Sequence, residues 1–304
     1  MSDRIGNEII VPPVADALGE HFAAAGHELH LVGGPVRDAI LRRDTDDLDF
    51  ATSAHPDTTL GILQKHASTL WTTGREFGTI GAMFRGHRVE VTTYRADSYD
   101  GVSRNPRVAY GDNLTDDLRR RDFTINAMAV SVPGHAFSDP FDGLTDLSRQ
   151  NIRTPGTPEE SFADDPLRMM RAARFTAQLG FEVDVSVKTA MTNMAGDLDR
   201  ISAERVRDEF VKLMAGADPV PGLRLLVATG LAEEFLPELP ALRMAIDEHA
   251  QHKDVYEHTL TVVRNAMSLE DNGPDALLRI AALLHDIGKP DTKGIGPDGR
   301  VTFH

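Results

Sequence analysis

The stretch that decides the fold is Leu31-Val-Gly-Gly-Pro-Val-Arg-Asp38, followed by Asp46-Asp-Leu-Asp-Phe50. Short apolar runs in both parts predict strands, and the double glycine predicts a turn into a helix. Such a turn lets backbone N–H groups come close to a phosphate. Because side chains two residues apart share one face of a strand, Asp47 and Asp49 are predicted to converge. Two convergent carboxylates can hold the Mg²⁺ ions of two-metal phosphoryl or nucleotidyl transfer.

The metal interpretation competes with a plainer one, in which Asp47 and Asp49 belong to a solvated turn. For an isolated Asp-x-Asp pair the turn is the more common outcome. Here Gly33, Gly34 and Arg37 lie within twenty residues of the pair. The combination of a glycine turn, an arginine and two carboxylates favours the metal site.

The residues around this stretch mix strands with helices. We predict a helix over 11–25, strands over 29–32, 48–51 and 127–132, and a hairpin of 79–84 with 88–94. Glu90 falls on the polar face of the hairpin's second strand, where it is either a third carboxylate of the site or a surface charge. Residues 95–112 are rich in Gly, Pro, Asn and charge, which predicts a mobile loop.

From about Pro155 onward the patterns are helical. The predicted helices are 166–179, 185–195, 203–215, 222–229, 255–267 and 276–284. Mixed α/β followed by all-α predicts an α+β protein with a catalytic head on a helical body. We expect a head over 1–150, a neck and body over 151–250, and a further module over 251–304. Because the sequence ends inside a segment of ordered character, we expect that module to be truncated.

Composition excludes several classes of protein. The 304 residues include 32 Lys and Arg against 47 Asp and Glu, a net charge of 32 − 47 = −15. This balance excludes a uniformly basic surface for nucleic acid but allows a local basic groove. The absence of cysteine excludes disulfide scaffolds and thiol catalysis, and it predicts a reducing cytoplasm. No apolar run reaches the roughly 18 residues of a membrane span, and no secretory signal is predicted.

Two arginine-rich stretches are candidates for phosphate and base recognition. In Asp117-Leu-Arg-Arg-Arg-Asp-Phe123 the apolar neighbourhood favours arginines held against the head, and fixed arginines suit a triphosphate. The stretch Asp164-Asp-Pro-Leu-Arg-Met-Met-Arg-Ala-Ala-Arg-Phe175 predicts a helix start followed by a polar stripe. Its carboxylate and arginines can bond a base edge and hold phosphates. An ion-pair ladder on a surface helix fits this pattern equally well.

A third cluster lies near the end of the sequence. His258 precedes His285 and Asp286 by a plausible inter-helix distance, and His and Asp at a helix end are reasonable metal ligands. His252 and His304 are further candidates. A helical module whose histidines bind no metal is the favoured alternative on this pattern.

Together these motifs resemble those of the bacterial class II CCA-adding tRNA nucleotidyltransferases, which share ancestry with bacterial poly(A) polymerases. The resemblance covers about residues 29–304. It rests on the glycine–aspartate stretch, on Arg120-Arg-Asp-Phe-Thr-Ile-Asn-Ala127, on the 164–175 motif and on Ile201-Ser-Ala-Glu-Arg-Val-Arg-Asp-Glu-Phe210. The segment from His252 resembles the HD module of some members. Asp164 is one departure, since the family has Glu there.

The resemblance implies a nucleotidyltransferase head of the DNA polymerase β superfamily, an all-helical neck and body, and a partial HD domain. It implies addition of C, C and A to the 3′ end of tRNA from CTP and ATP, with release of pyrophosphate. The implied catalytic carboxylates are Asp47 and Asp49, as ligands of two Mg²⁺ ions, and Glu90. The implied nucleotide-binding residues are Gly33, Gly34, Arg37, Arg121, Asp165, Arg168, Arg171 and Arg174. The implied ligands of a second divalent metal are His258, His285 and Asp286.

The resemblance also suggests two roles beyond the nucleotide site. The loop 95–112 corresponds to the flexible segment that the family ties to the switch from C to A addition. Arg205, Arg207 and Lys212 are candidate contacts to the tRNA backbone.

Other functions stay open on the sequence. A poly(A) polymerase would use ATP only, but Thr73-Gly-Arg-Glu-Phe-Gly-Thr-Ile80 resembles the CCA-adding form; an enzyme that adds only the Cs or only the A is a further possibility. From another class, the three HD residues support a metal-dependent phosphohydrolase. A non-enzymatic RNA-binding module with a decayed site is disfavoured by the intact Asp47 and Asp49. Oligomeric state is left open.

Overall fold

A computed structural model describes residues 9–44, 47–95, 110–111, 113–243, 255–295 and 301–303. The chain divides into two compact units, the first comprising residues 1–149 and 153–157, the second residues 150–152 and 158–304. Among the described residues no helix is long and apolar enough to cross a membrane. Most of the predicted loop 95–112 lies outside the described residues, as do His252 and His304.

The first unit is built on a seven-stranded sheet in the order β3-β4-β5-β2-β1-β6-β7. Its strands are β1 (Leu29–Val32), β2 (Asp47–Thr52), β3 (Thr69–Trp71), β4 (Thr79–Phe84), β5 (His87–Thr93), β6 (Ala129–Ser131) and β7 (Phe137–Ser138). Neighbouring strands are antiparallel except β2 and β5, which are parallel. The predicted strands and hairpin are confirmed, with β6 shorter than expected and β3 and β7 as additions.

The first unit also carries the helices α1 (Pro13–Ala24), α2 (Gly34–Ile40), α3 (Pro56–Leu63), α4 (Leu114–Arg119) and α5 (Gly143–Ser148). Proline occupies the first turn of α1, α2 and α3, where its missing N–H costs no helical hydrogen bond. The helix predicted over 11–25 is confirmed as α1. Helices α3 and α5 were not predicted, because each is at most eight residues long and too short for a clear period.

Strand alternation separates the core of the first unit from its polar face. On β2, Leu48 and Phe50 are at most 2% exposed, and on β5, Val89 and Val91 are fully buried. Burying each such side chain stabilises the fold by about 1.5–3 kcal/mol. A shift of one residue in register would expose all of them, so the core determines which residues face the other way. Those residues include the carboxylates of β2 and β5.

The second unit is mainly helical. Its helices are α6 (Pro158–Asp164), α7 (Leu167–Leu179), α8 (Val185–Asn193), α9 (Ala203–Met214), α10 (Pro219–Ala228), α11 (Glu238–Ala241), α12 (Val255–Met267) and α13 (Ala276–Leu284). Two short pairs of strands accompany them, β8 (Asn151–Ile152) with β9 (Glu182–Val183), and β10 (Lys293–Ile295) with β11 (Val301–Phe303). The predicted helices are confirmed, but α10 begins earlier than expected because the Asp218 side chain caps it.

Helix α7 is central to the second unit. It packs against α9 and α10, and its residues Met169, Met170, Ala172 and Ala173 are fully buried. Further along the chain, Arg279 of α13 is 2% exposed and donates to the carbonyl of Met214, the last residue of α9. Buried contacts therefore bind α7, α9 and α13 into one body.

Candidate active site

Three carboxylates share one face of the sheet in the first unit. Asp47 and Asp49 lie on β2, Glu90 lies on β5, and the register places Asp49 directly opposite Glu90. Neighbouring strands of a sheet lie about 4.8 Å apart, so these two side chains are adjacent on the same face. Strand period alone brings Asp47 and Asp49 to one side; the pairing of β2 with β5 adds Glu90.

The carboxyl of Asp49 shows the strongest electrostatic effect of this crowding. Loss of solvation among the neighbouring side chains, followed by the negative charge of Glu90, raises the pKa of Asp49 to about 6, although the residue itself is exposed. The Arg121 guanidinium opposes the shift, whereas Asp47 adds to it. These effects disfavour the ionised form of Asp49. A neighbouring cation stabilises that form, because its positive charge attracts the carboxylate. Carboxylate oxygens are also the donors that hard divalent cations prefer.

Arg88 lies among these carboxylates. Its Nη2 donates to Glu90 Oε1 at 2.8 Å, and its Nε is 3.9 Å from Asp47 Oδ1. Over the described residues, the head carboxylates do not form a group of three with all ligand atoms within 4.8 Å of one another. The Arg88 guanidinium therefore supplies positive charge to Glu90 and Asp47.

The glycine turn leads from β1 into α2, next to the carboxylate face. Gly33 has φ 74°, a conformation that favours glycine, and a Cβ there would lie 3.0 Å from Arg121 Nη1. Arg121 donates to Asp117 Oδ2 at 3.1 Å. Arg37 donates to Asn126 Oδ1 at 2.8 Å and to both carboxylate oxygens of Asp38 at 2.9 and 2.8 Å. The turn is therefore bordered by two guanidinium groups that side-chain oxygens fix in place, and fixed arginines suit a phosphate ligand.

In the second unit, Asp165 and Arg168 lie at the start of α7. Asp165 accepts from Arg205 Nη2 at 2.9 Å, and its other oxygen accepts from the Leu167 N–H at 3.2 Å. Arg168 donates to Ser161 Oγ at 2.8 Å. Both side chains are only partly buried. They present a carboxylate and a guanidinium from neighbouring positions, a combination that can bond the donors and acceptors of a base edge.

Arg174 does not belong to the exposed polar stripe that the spacing of these residues predicted. It is 9% exposed, because nine residues at 100° each place it on the opposite side of the helix from Asp165. Its partner is Glu209 of α9, with Nε to Oε2 at 3.2 Å. Arg171 is 3.6 Å from the other Glu209 oxygen. These two arginines therefore link α7 to α9 through one buried carboxylate.

The HD residues form a compact group in the second unit. The ligand atoms of His258, His285 and Asp286 all lie within 4.8 Å of one another. His285 Nε2 is 3.0 Å and His258 Nε2 is 3.9 Å from Asp286 Oδ2. Burial alone would raise the pKa of Asp286, but the hydrogen bond from Lys289 and the nearby His285 lower it. Two imidazoles and an ionised carboxylate make a plausible partial ligand set for a transition metal.

Several residues that hold the site together were not identified from the sequence. Asp117, which anchors Arg121, was visible as an i,i+4 pair on a helix. Asn126 and Glu209 gave no such signal, since their partners lie 89 and 35 residues away. Arg88 lies two residues before Glu90 on β5, so the strand period alone could have indicated their common face.

Three family models match the chain in sequence order. They are described as the poly(A) polymerase head domain over residues 29–153, a probable RNA-binding and SrmB-binding site of polymerase A over 180–242, and the HD domain over 255–301. The chain belongs to the poly(A) polymerase and CCA-adding enzyme family.

Relatives and solved structures agree with this assignment. The chain is 43% identical over 223 residues to the CCA-adding enzyme of Lactobacillus delbrueckii, covering 73% of this chain and 54% of that protein. It is 42% identical over 232 residues to that of Lacticaseibacillus paracasei, covering 76% and 57%. It thus spans little more than half the length of these relatives.

Among solved structures, the Bacillus stearothermophilus CCA-adding enzyme in complex with CTP matches with a TM-score of 0.70 and 32% identity, over 92% of this chain and 65% of that one. The Thermotoga maritima CCA-adding enzyme complexed with tRNA shares the fold, with a TM-score of 0.67, 22% identity, and coverage of 93% and 65%. Membership of the family implies dependence on a divalent metal, and the carboxylate face of the head has a suitable donor set.

Proposed function

We propose that this chain is the catalytic part of a CCA-adding tRNA nucleotidyltransferase, which extends the 3′ end of tRNA from CTP and ATP and releases pyrophosphate. The observation that carries the proposal is the face shared by Asp47, Asp49 and Glu90 beside the Gly33 turn, in a chain 43% identical to a CCA-adding enzyme. A cytoplasmic location and the division into head (1–150), neck and body (151–250) and HD part (251–304) belong to the same proposal.

In this proposal the head carries the chemistry. Gly33 and Gly34 bring the backbone close to the triphosphate, and Arg37 and Arg121 bind its phosphates. Arg37 is already oriented by Asn126 and Arg121 by Asp117. Binding the nucleotide therefore costs little side-chain ordering, which leaves more of the interaction energy for affinity.

We assign the residues at the start of α7 to binding the base of the incoming nucleotide. Asp165 accepts from an exocyclic amino group, which CTP and ATP both carry, and Arg168 donates to a ring acceptor. The Asp165 carboxylate has about four acceptor positions, and Arg205 and the Leu167 N–H each use one of them. Arg171 and Arg174 support this helix through Glu209 rather than through the nucleotide.

We assign Asp47 and Asp49 as ligands of two Mg²⁺ ions and Glu90 as the third catalytic carboxylate. Mg²⁺ held by these carboxylates would lower the pKa of the attacking 3′-hydroxyl and would offset charge on the leaving pyrophosphate. Asp49 must be ionised to serve as a metal ligand. The three carboxylates then orient the reacting groups around one α-phosphate.

The proposal is tested with tRNA transcripts that end at the discriminator base, after C and after CC. Each is incubated with Mg²⁺ and labelled CTP, ATP or both, and the products are resolved to one nucleotide. We expect addition of C, C and A followed by arrest. A lengthening ladder of A on any RNA would identify a poly(A) polymerase, and C or A alone would identify an enzyme with divided activity.

The pKa of Asp49 predicts how metal binding depends on pH. Its raised pKa of about 6 means that the metal-free head binds a proton there below pH 6, and a metal ion must displace it. We therefore expect divalent-metal affinity to fall by about tenfold per pH unit below 6 and to level off above it. Calorimetric titration with Mn²⁺ from pH 5 to 8 measures this. Asp49→Asn should bind metal more weakly, and its affinity should no longer fall below pH 6. If the fall below pH 6 is unchanged in this variant, another group is responsible for it.

The HD group supports a second activity in the same chain, metal-dependent hydrolysis of phosphoesters or 2′,3′-cyclic phosphates. The observation that favours it is the approach of His258, His285 and Asp286 within 4.8 Å. We propose a second divalent metal at this group.

The two activities should respond separately to substitution. His285→Ala is expected to abolish hydrolysis of 2′,3′-cyclic AMP and to leave nucleotide addition unchanged, because the residue lies outside the head. His27→Ala, a partly buried histidine of the head, serves as the control and should affect neither. Both rates are measured with Mn²⁺, Ni²⁺ or Mg²⁺ added. Hydrolysis that survives His285→Ala would remove the HD group from the reaction.

A further inference from the structure

One residue on the carboxylate face of the head has no part in the scheme above. Trp71 of β3 pairs with Gly81 of β4, Gly81 pairs with Glu90 of β5, and Glu90 pairs with Asp49 of β2. The four residues thus form one row across four neighbouring strands. At about 4.8 Å per strand, the Cα atoms of Trp71 and Asp49 are about 14 Å apart. Trp71 and the catalytic carboxylates therefore lie on the same side of the sheet.

The indole of Trp71 lies across Gly81, toward the carboxylates. A Cβ built on Gly81 would overlap the indole, so the absence of a side chain at Gly81 makes room for the ring. The neighbouring Leu70 points the other way and packs against the core. Trp71 itself remains partly exposed. The indole is thus held against the backbone of one strand and is partly exposed on the side of the sheet that carries the carboxylates.

A positive charge accompanies this aromatic surface. The Arg88 guanidinium carbon lies over the Trp71 ring, 5.4 Å from its centroid, while Arg88 also bonds Glu90. A base that stacks on the ring would replace the guanidinium there and leave Arg88 to bind a phosphate. Aromatic side chains next to cations form the sites on which proteins stack the bases of single-stranded nucleic acid. Every base has a π-face, so such a platform binds a nucleotide without selecting its identity.

The glycine turn and the strands β5, β4 and β3 of the Trp71 row lie on opposite sides of β2. The Gly33 turn, Arg37 and Arg121 follow or flank β1, and β1 lies on the far side of β2 from β5, β4 and β3. In an in-line displacement the attacking and leaving oxygens lie on opposite sides of the α-phosphorus. If the leaving pyrophosphate is held on the β1 side, the attacking 3′-hydroxyl approaches from the side of β5, β4 and β3.

We propose that Trp71 is the stacking platform for the base of the 3′-terminal nucleotide of the RNA that is being extended, with Arg88 available to its phosphate. This assignment rests on the proposed nucleotidyl transfer. It adds a binding site for the acceptor strand, distinct from the residues that hold the incoming nucleotide. A sequence-tolerant platform suits an acceptor whose last base changes after each addition.

The wild-type protein offers a direct readout, because Trp71 is its single tryptophan. Tryptophan fluorescence is titrated with a tRNA transcript ending in CC, in Mg²⁺ and without free nucleotide. We expect quenching that saturates with binding, and little quenching by a matched transcript whose 3′-terminal nucleotide is abasic. Equal quenching by both transcripts would overturn the proposal. Strong quenching by CTP or ATP alone would assign the platform to the incoming nucleotide instead.

Trp71→Leu and Trp71→Phe form a matched pair of variants. Leu removes the π-face and Phe retains it, so we expect Leu to weaken affinity for the CC-ended transcript by about five- to 150-fold and Phe to weaken it much less. In steady-state assays the loss should fall mainly on KM for tRNA. Affinity for the abasic transcript should be the same in both variants and in wild type, because the interaction that Leu removes is absent there. A Leu variant that binds both transcripts equally less well would show a structural role only.

The outcomes separate this proposal from the proposed function. If wild type adds nucleotides to tRNA but shows no base-dependent quenching, the platform is wrong and nucleotidyl transfer stands. If wild type adds no nucleotide to any transcript, the transfer activity fails whatever Trp71 does, and base-dependent quenching then marks an RNA-binding site alone. Thermal unfolding of each variant identifies a folding defect, in which case the fluorescence of wild type decides.

Discussion

Replacing Asp49 with Asn is expected to lower kcat for nucleotide addition by about a thousandfold or more, while affinity for tRNA changes little. The substitution keeps the shape of the side chain and removes the charge that binds metal. Metal ions stabilise such transition states by several kcal/mol, and about 4 kcal/mol corresponds to a thousandfold in rate. Asp47→Ala should have a similar effect, since it removes the other ligand on the same strand face.

The assay follows incorporation of labelled CTP into tRNA under single-turnover conditions, and filter binding gives the affinity for tRNA. Asp57→Asn is a matched control, because Asp57 is an exposed aspartate of the same unit whose partner is Arg75. It should retain wild-type rates. Loss of tRNA binding in Asp49→Asn at a normal rate of turnover would place this carboxylate in RNA recognition and contradict its role in metal binding.

Replacing Glu209 with Gln is expected to destabilise the protein by about 3 kcal/mol. The Glu209 side chain is 5% exposed and lies 3.2 Å from Arg174, whose side chain is 11% exposed. Gln leaves the Arg174 charge buried without a counter-charge. An uncompensated buried charge is what makes the loss of one partner of a buried ion pair strongly destabilising. The expected value lies at the lower end of the range because Arg171 and Lys212, which also face Glu209, keep part of their solvation.

Urea unfolding measures the free energy of unfolding of Glu209→Gln, and a variant of the neighbouring Asp208 serves as the control. Asp208→Asn removes an adjacent carboxylate whose side chain is 56% exposed and pairs with the exposed Arg207. Exposed pairs of this kind contribute little, so its unfolding midpoint should match that of wild type. Because Glu209 joins α7 to α9, Glu209→Gln should also raise KM for CTP and ATP in protein that remains folded. An unchanged midpoint would show that water or another carboxylate satisfies Arg174.

Features that depend on spacing within one element could be read from the sequence. The common face of Asp47 and Asp49 follows from the period of a strand, and the core residues Leu48 and Phe50, which alternate with them, made that strand recognisable. Helix α13 was predicted to the residue. Asp275 explains why, since its side chain accepts from the first N–H groups of the helix and is a local signal. The glycine turn could likewise be predicted, because the positive φ of Gly33 favours glycine at that position.

Spacing gave a wrong prediction for a motif that extends over more than two turns of a helix, because its first and last residues lie on opposite sides. Asp165 and Arg174 belong to one motif, yet the helix places Arg174 in the interior. A strip of residues three apart drifts by 60° at each step, so its end lies on the side that packs against α9. The pattern was compatible with a polar stripe until the neighbouring helix was known.

The sequence alone thus predicts the local features, which are the carboxylate pair, the glycine turn, the arginines and the helix ends. It does not predict partners that come from distant segments. Whether Glu90 opposes Asp49, whether Asn126 holds Arg37 and whether Trp71 joins the carboxylate row all depend on which strands and helices lie side by side. That choice is made by burying the apolar faces of all the elements at once, because pairing in the wrong register would expose the core. No single stretch of sequence contains that information.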